Sequence, residues 1–416
     1  MKINRAYKTE LDPNNRQRTL LLKSAGAARW AYNWALHRKI ESYEETGKSP
    51  TGVDLNRELN VLKKRSLEEG GVPWMYEVSK WSPQGALQNL DRAFDRFFRR
   101  CRTGTRKVGF PKFKSKKNGI GNFTLIGSIR VKKARIQLPR LGSIKLKEKG
   151  YLPIDGTAGI KILYATVSEK AGRWYVSLTV GQEIPDPIIT DTHVVGVDVG
   201  IKELATTSDG EVFENPRAYK KAQRRLRFLQ KEVNRKQKGS KNREKAKIRV
   251  AKQHQRTANI RRDNQHKAST AIVKSAGVIV LESLNVQGML KNRKLSKALS
   301  DASISEFFRQ LKYKAKWAGK QVIEANRWYP SSKTCSSCGS IKDALGLGER
   351  TFSCDSCGFV LDRDLNAAIN LRNLAGSFPV TACCPGSATQ NATGSEQLLV
   401  GQEPNTEQGK SLFGSV

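Results

Sequence analysis

The amino-acid sequence predicts an α/β domain joined to an N-terminal β module closed into a small barrel. Two short apolar runs, residues 194–199 and 276–281, read as fully buried strands, and long helical stretches separate them, the pattern of a sheet covered by helices. Upstream, Trp174, Val176, Leu178 and Val180 sit on every second position, as a half-buried antiparallel strand requires. The chain has 416 residues, 38% of them hydrophobic, enough for two or three domains with real cores.

In chain order, residues 1–10 read as one strand. Asp12 caps the next helix and Pro13 opens it. Leu21, Ala25, Ala28, Tyr32, Leu36, Ile40 and Tyr43 then recur at three- and four-residue steps, the stripe of a core-facing helix, until Gly47 and Pro50. Ser82-Pro83 starts a second helix, with Leu87, Leu90, Phe94, Phe97 and Cys101 on one face and Arg92, Arg96, Arg99 and Arg100 on the other. The stretch KVGFPKFKSKK (107–117) mixes lysines, which neutralise phosphates, with Phe110 and Phe113, which can stack on unpaired bases. Short β-like runs follow at 123–126, 135–138 and 144–146, and the clearest hairpin pairs 160–167 with 174–180. Residues 1–190 are therefore the β module, with helices inserted over about 13–103, and IPDPIITDT (184–192) is a proline-marked boundary.

The second domain is expected over 191–375. A basic helical hairpin spans 216–267, with Leu226, Leu229 and Val233 as its apolar seam and a turn at Lys238-Gly239-Ser240. Its lysines and arginines are too dense for a self-contained fold and suit a nucleic-acid backbone. His266, near its end, reads as structural. Residues 303–318 read as a helix and 321–325 as a strand. Residues 376–416, rich in Gly, Ser, Thr, Asn and Gln, read as a disordered tail without chemistry.

The formal net charge is +37, from 75 Lys and Arg against 38 Asp and Glu. That imbalance predicts a polyanionic partner, most simply nucleic acid. No apolar run approaches the roughly 20 residues of a spanning helix, and the start MKINRAYKTELDP lacks the apolar core of a signal peptide, so no membrane is expected as a partner.

Cys335, Cys338, Cys354 and Cys357 form two C-x2-C pairs fifteen residues apart, the spacing of a four-thiolate zinc site in a ribbon over 330–361. Gly339 and Gly358 follow each pair and can take the left-handed backbone of a knuckle. Two disulfides would need an oxidising compartment, which nothing in the sequence suggests; a reducing cytoplasm is expected. Four thiolates close the coordination shell, so this zinc is expected to be structural. Cys101, Cys383 and Cys384 read as non-functional.

Three acids stand out. Asp198 interrupts the first apolar strand, Glu282 ends the second, and Asp364 lies at the start of a helix, with Asp362 two residues before it. A carboxylate in an apolar strand is costly unless ionic partners offset it. The surrounding order, three strands, helix, strand, helix, strand, suits an RNase H-like mixed sheet flanked by helices. In such a site carboxylates hold two divalent cations roughly 4 Å apart, which serve phosphodiester hydrolysis. Oxygen ligands select Mg2+ or Mn2+ rather than zinc.

GVDVGIKELAT, VIVLESL, TCSSCG…FSCDSCG and DRDLNAAINL together resemble TnpB, the OrfB-type protein of insertion sequences, a family similar to type V CRISPR effector nucleases. The resemblance covers nearly the whole chain and is sharpest over 194–371. It implies an RNA-guided DNA endonuclease with a RuvC-like domain, a WED-like β module and REC-like inserted helices. It implies catalytic carboxylates at Asp198, Glu282 and Asp364. Asp364 is preferred because it directly precedes the xNAA run, and Asp362 is the alternative. It also implies a guide RNA, one copy of the chain for each guide, and a double-stranded DNA target read by base pairing and a short flanking motif, in a prokaryotic cytoplasm at the nucleoid. Two other readings stay open: a nuclease-independent RNA-guided regulator, which would not need all three acids, and a strand-transfer transposase, which would.

Overall fold

Strand β1 (Lys2–Asp12) runs into a 32-residue helix, α1 (Asn15–Thr46). The computed structural model describes residues 2–104, 108–154, 159–184, 192–346 and 348–377. The cap of α1 is Asn14 rather than Asp12: its side chain accepts from the Gln17 N–H at 2.9 Å, and Gln17 reaches back to the Asn14 N–H at 3.1 Å. Asp12 is still in the sheet, opposite Lys145, so it is not free to cap. Helix α2 (Gly52–Lys64) was not anticipated. A capping box of Thr51 and Asp54 starts it, and it buries Leu55 and Leu59. Helix α3 (Trp81–Arg102) buries Leu87 and Leu90, and Phe94 is partly buried against the same core, but by Cys101 its apolar face is exposed. Phe94 and Phe97 pack edge-on against Phe110, with ring centroids 5.5 and 5.4 Å apart, while Cys101 and Phe113 are exposed. Phe110 is thereby occupied by other rings.

Strands β2 (Asn122–Leu125), β3 (Arg130–Lys132), β4 (Arg135–Leu138), β5 (Gly142–Leu146), β6 (Ile160–Lys170) and β7 (Arg173–Glu183) complete an antiparallel sheet in the order β2-β6-β7-β1-β5-β4-β3. The expected barrel is not closed, because the end strands β2 and β3 do not pair. The physical reason lies in the shared core. Leu21 and Leu36 of α1, Leu55 of α2 and Leu90 of α3 pack with Phe123, Ile136 and Val176. The helices cover the apolar face that a barrel would bury against itself. The boundary at 185–191 and the tail from 378 lie outside the described residues.

A second sheet is built from β8 (Val194–Asp198), β9 (Glu203–Thr207), β10 (Val212–Glu214), β11 (Val278–Leu281) and β12 (Gln321–Glu324), in the order β10-β9-β8-β11-β12. β11 runs parallel to β8 and β12; β9 runs antiparallel to β8 and β10. Between β10 and β11 lie α4 (Ala218–Asn234) and α5 (Lys241–Ser275), the basic hairpin. Between β11 and β12 lie α6 (Val286–Met289), α7 (Ser296–Ala302) and α8 (Ile304–Trp317). All four residues of β11 are buried, which is why it reads as an unbroken apolar run. On one face Val195, Val197, Ile279 and Leu281 pack against Ile272 of α5 and against Phe307 and Leu311 of α8. A short hairpin, β13 (Thr351–Ser353) with β14 (Val360–Asp362), leads into α9 (Arg363–Leu374), whose Leu371 packs with Val280.

The basic hairpin buries Leu226, Leu229 and Val233 as its seam. Helix α4 has no cap of its own, since Arg217 sits at φ 45° and offers no side-chain bond. Asp301 of α7 supplies one, accepting from the N–H groups of Tyr219 at 2.9 Å and Lys220 at 3.1 Å. Among the described residues, no helix is long and apolar enough to cross a membrane.

Candidate active site and metal centre

Strand register brings two of the predicted acids together. Val197 of β8 pairs with Leu281 of β11 in a parallel ladder, so the next residues, Asp198 and Glu282, are neighbours at the strands' C-terminal edge. Side chains alternate along a strand. Val197 and Leu281 face α5 and α8, so Asp198 and Glu282 face the other way, toward α9. The two carboxyls are close enough to act on each other electrostatically.

Helix α9 brings the third acid, and Gly196 determines how. A Cβ at Gly196 would lie 2.0 Å from the Ala368 carbonyl oxygen and 2.5 Å from the Arg372 amide nitrogen. Only a glycine lets the helix seat this closely on β8. Asp364 lies four residues, about 6.0 Å, before Ala368, and Asp198 lies two residues, about 6.6 Å, beyond Gly196. Both are thereby placed toward the same end of β8, and Asp364 acts electrostatically on both Asp198 and Glu282. The Arg363 guanidinium contacts Asp364 at 3.3 Å, and both side chains are only 17% exposed. Asp362 is otherwise engaged: it caps α9, accepting from the N–H groups of Asp364 at 2.9 Å and Leu365 at 3.1 Å.

Burial, followed by the charges of Glu282 and Asp364, holds the Asp198 carboxyl well above the usual carboxylate range. Burial also raises Glu282, although the hydroxyl of Ser331, donating to Glu282 Oε1 at 2.7 Å, works against it. Burial and like charge thus make the ionised form of this group of acids costly in the absence of a cation. The donor set is all carboxylate oxygen, the chemistry that a hard divalent cation takes, while among the described residues the four cysteines are the group of three or more whose ligand atoms close to within 4.8 Å.

The four cysteines meet as well. Their sulfurs all lie within 4.8 Å of one another, with Cys335–Cys357 at 3.8 Å and Cys338–Cys354 at 3.6 Å. A disulfide would need about 2.05 Å. Four sulfurs at about 2.3 Å from one zinc in a tetrahedron stand about 3.8 Å apart, so the cluster fits that ion. The two knuckles repeat one geometry. Gly339 and Gly358, at φ 78° and 73°, donate back to the Cys335 and Cys354 carbonyls at 2.9 and 3.0 Å. The backbone N–H groups of Cys357 and Ser356 point at the Cys354 sulfur and pull its thiol down to about 6. Phe352 and Phe359 close the knuckle from below.

Sequence reasoning missed Ser331, Asn366, Asn370, Arg363 and Asp301. The asparagines carried a signal, two polar residues four apart in an otherwise apolar helical run. Ser331, in a loop of small polar residues, carried none.

Similarity to known proteins agrees with this geometry. A family described as "Probable transposase" matches residues 175–293, and a "Cas12f1-like, TNB domain" matches 305–371. A "Helix-turn-helix domain" matches residues 1–48, which fold here as one strand and one long helix. A solved structure titled as a Cas12f1-sgRNA-target DNA complex shares the fold, with a TM-score of 0.52 at 13% identity, covering 89% of this chain and 99% of that one. The fold is thus that of the Cas12f1 chain in that complex. A Streptomyces pristinaespiralis protein named "Putative RNA-guided DNA endonuclease" is 34% identical over 406 residues, 97% of this chain and 96% of that protein. An Escherichia coli K12 protein of the same name, suffixed InsQ, is 32% identical over 399 residues, 92% of this chain and 94% of its own length. The chain belongs to the TnpB family, the OrfB-type proteins of insertion sequences.

Proposed function

We propose that this protein is an RNA-guided DNA endonuclease that hydrolyses phosphodiesters at Asp198, Glu282 and Asp364. The observation that carries this reading is the parallel register that sets Asp198 and Glu282 at adjoining strand ends, with Asp364 acting electrostatically on both. Asp198, Glu282 and Asp364 would hold Mg2+ or Mn2+, and Cys335, Cys338, Cys354 and Cys357 a structural zinc. When bound at these carboxylates, such cations would supply the Lewis-acid chemistry of two-metal hydrolysis, activation of a water and charge neutralisation at the leaving oxygen. A bound cation would offset the cost of ionising these buried acids, and the apolar strands beneath keep them rigid. Arg363 sits where it can balance Asp364 before a cation arrives.

Guide and target would lie against the basic surfaces. Arg173 of β7 and Arg225, Arg249, Lys252 and Arg256 of the hairpin line a cleft of about 540 Å³ with no acidic residue in its lining. In the proposed division, residues 1–190 contact the guide and a short flanking motif in the DNA, and 191–375 carry the chemistry.

The test is cleavage of a matched duplex by the protein loaded with its guide RNA. Asp198→Ala is expected to lower the rate at least about 10³-fold, several kcal/mol of transition-state stabilisation, with RNA affinity unchanged. Cleavage at the wild-type rate in that variant would sink the assignment. The description "Probable transposase" favours a second reading, strand transfer by the same acids. Transposition that depends on this protein, measured with and without it, would support that reading.

A further inference from the structure

The loop before the first knuckle is wired into the acid site. Ser331 is 4% exposed, and its hydroxyl donates to Glu282 Oε1 at 2.7 Å. Its own carbonyl accepts from Asn370 Nδ2 at 2.8 Å. The same Asn370 amide reaches the Thr334 carbonyl at 2.6 Å, where Asn366 Nδ2 also donates, at 2.7 Å. Asn366 Oδ1 in turn accepts from the Ser336 N–H at 3.0 Å. Asn366 and Asn370 are 0% and 3% exposed and lie one turn apart on α9, the helix that carries Asp364. Thr334 and Ser336 flank the knuckle ligand Cys335 on either side.

Leaving two buried amides unpaired is costly, so an arrangement that satisfies both is held rigidly. It ties three things together: the cysteine knuckle, the helix of Asp364 and the orientation of Glu282. We propose that Ser331 is a positioning residue that fixes which oxygen of Glu282 faces Asp198, and that Asn366 and Asn370 make this orientation depend on the ordered knuckle. The four-cysteine centre then acts on the chemistry at a distance, through Ser331. This rests on the nuclease reading of the three acids.

The test measures Mn2+ affinity of the full chain directly by electron paramagnetic resonance, without nucleic acid, for wild type, Ser331→Ala, Ser331→Thr and Asp198→Ala. Removing an outer partner of a metal ligand typically weakens binding 10- to 100-fold. Ser331→Ala is expected to weaken Mn2+ binding about 10-fold, Ser331→Thr to keep it, and the melting temperature of both to match wild type. Stripping the thiolate-bound metal with a chelator that spares Mn2+ should weaken wild type by a similar factor and leave Ser331→Ala unchanged, because the two act through one path. Wild-type affinity in Ser331→Ala, or chelation and substitution that multiply, overturns the proposal while leaving the nuclease reading intact. Equal Mn2+ binding by wild type and Asp198→Ala overturns the acid-site reading and this proposal with it. Should Ser331→Ala melt early, Asn370→Asp, which keeps the shape but loses the donor, decides by the same affinity measurement.

Discussion

Asp198 and Glu282 set a sign that stability measurements can read. Burial raises both carboxyls, so the folded chain holds their protons more tightly than the unfolded chain does. In cation-free protein, their contribution is fully present below the ordinary carboxylate value of about 4 and is lost as pH rises through the raised folded values. With a chelator present, the melting temperature of wild type relative to Asp198→Asn is expected to fall as pH rises from about 4 toward neutrality. Adding Mg2+ at the upper end should restore wild type and not the variant, because the ion binds the ionised acids. A difference that stays flat across that range would contradict the burial argument. At this scale the two strand acids were legible, since a charge inside an apolar run demands a partner. Asp362 and Asp364 were harder to separate, because both open the same helix. What distinguishes them is that Asp362 spends its oxygens on the helix N–H groups.

Among the elements, the seating of α9 on β8 matters most. Gly196→Ala would drive a methyl group into the Ala368 carbonyl and force the helix outward. Overpacking of this kind costs about 1–3 kcal/mol, and a displacement near 1 Å at Asp364 is worth about 10²-fold in rate. The expected outcome is a variant that folds with a lowered melting temperature and cleaves about 100-fold more slowly, with RNA binding retained. Normal cleavage would show that α9 can shift without disturbing Asp364. The strands around Gly196 were legible from alternation and apolar runs, and the hairpin turn at Gly239 from its glycine. Helix α2 was passed over although Thr51 and Asp54 spell a capping box, because its two buried leucines, Leu55 and Leu59, make too short a stripe.

Taken whole, the molecule carries a charge that must be answered by phosphate. Binding of single-stranded RNA should weaken steeply with salt, and each cation removed from the basic cleft should flatten the slope of log K against log salt by about 0.7. Arg249→Ala and Arg256→Ala are therefore expected to lower RNA affinity at low salt and converge with wild type at high salt, measured by filter binding across a salt series. An unchanged slope would place the RNA elsewhere on the surface.

The residues alone were enough to determine which chemistry is on offer: buried strands ending in acids, two knuckles at zinc spacing, and a polycationic surface. These are local properties, written in periods of two or four residues and in short spacings, so they survive without knowledge of the rest of the chain. Only tertiary structure decided that the first sheet stays open, that Asp362 caps α9 while Asp364 acts on the strand-end acids, and that Ser331 grips Glu282 from 49 residues away. Those outcomes depend on which helix packs on which face and how closely. That is settled by the joint packing of distant side chains, and no local pattern encodes it.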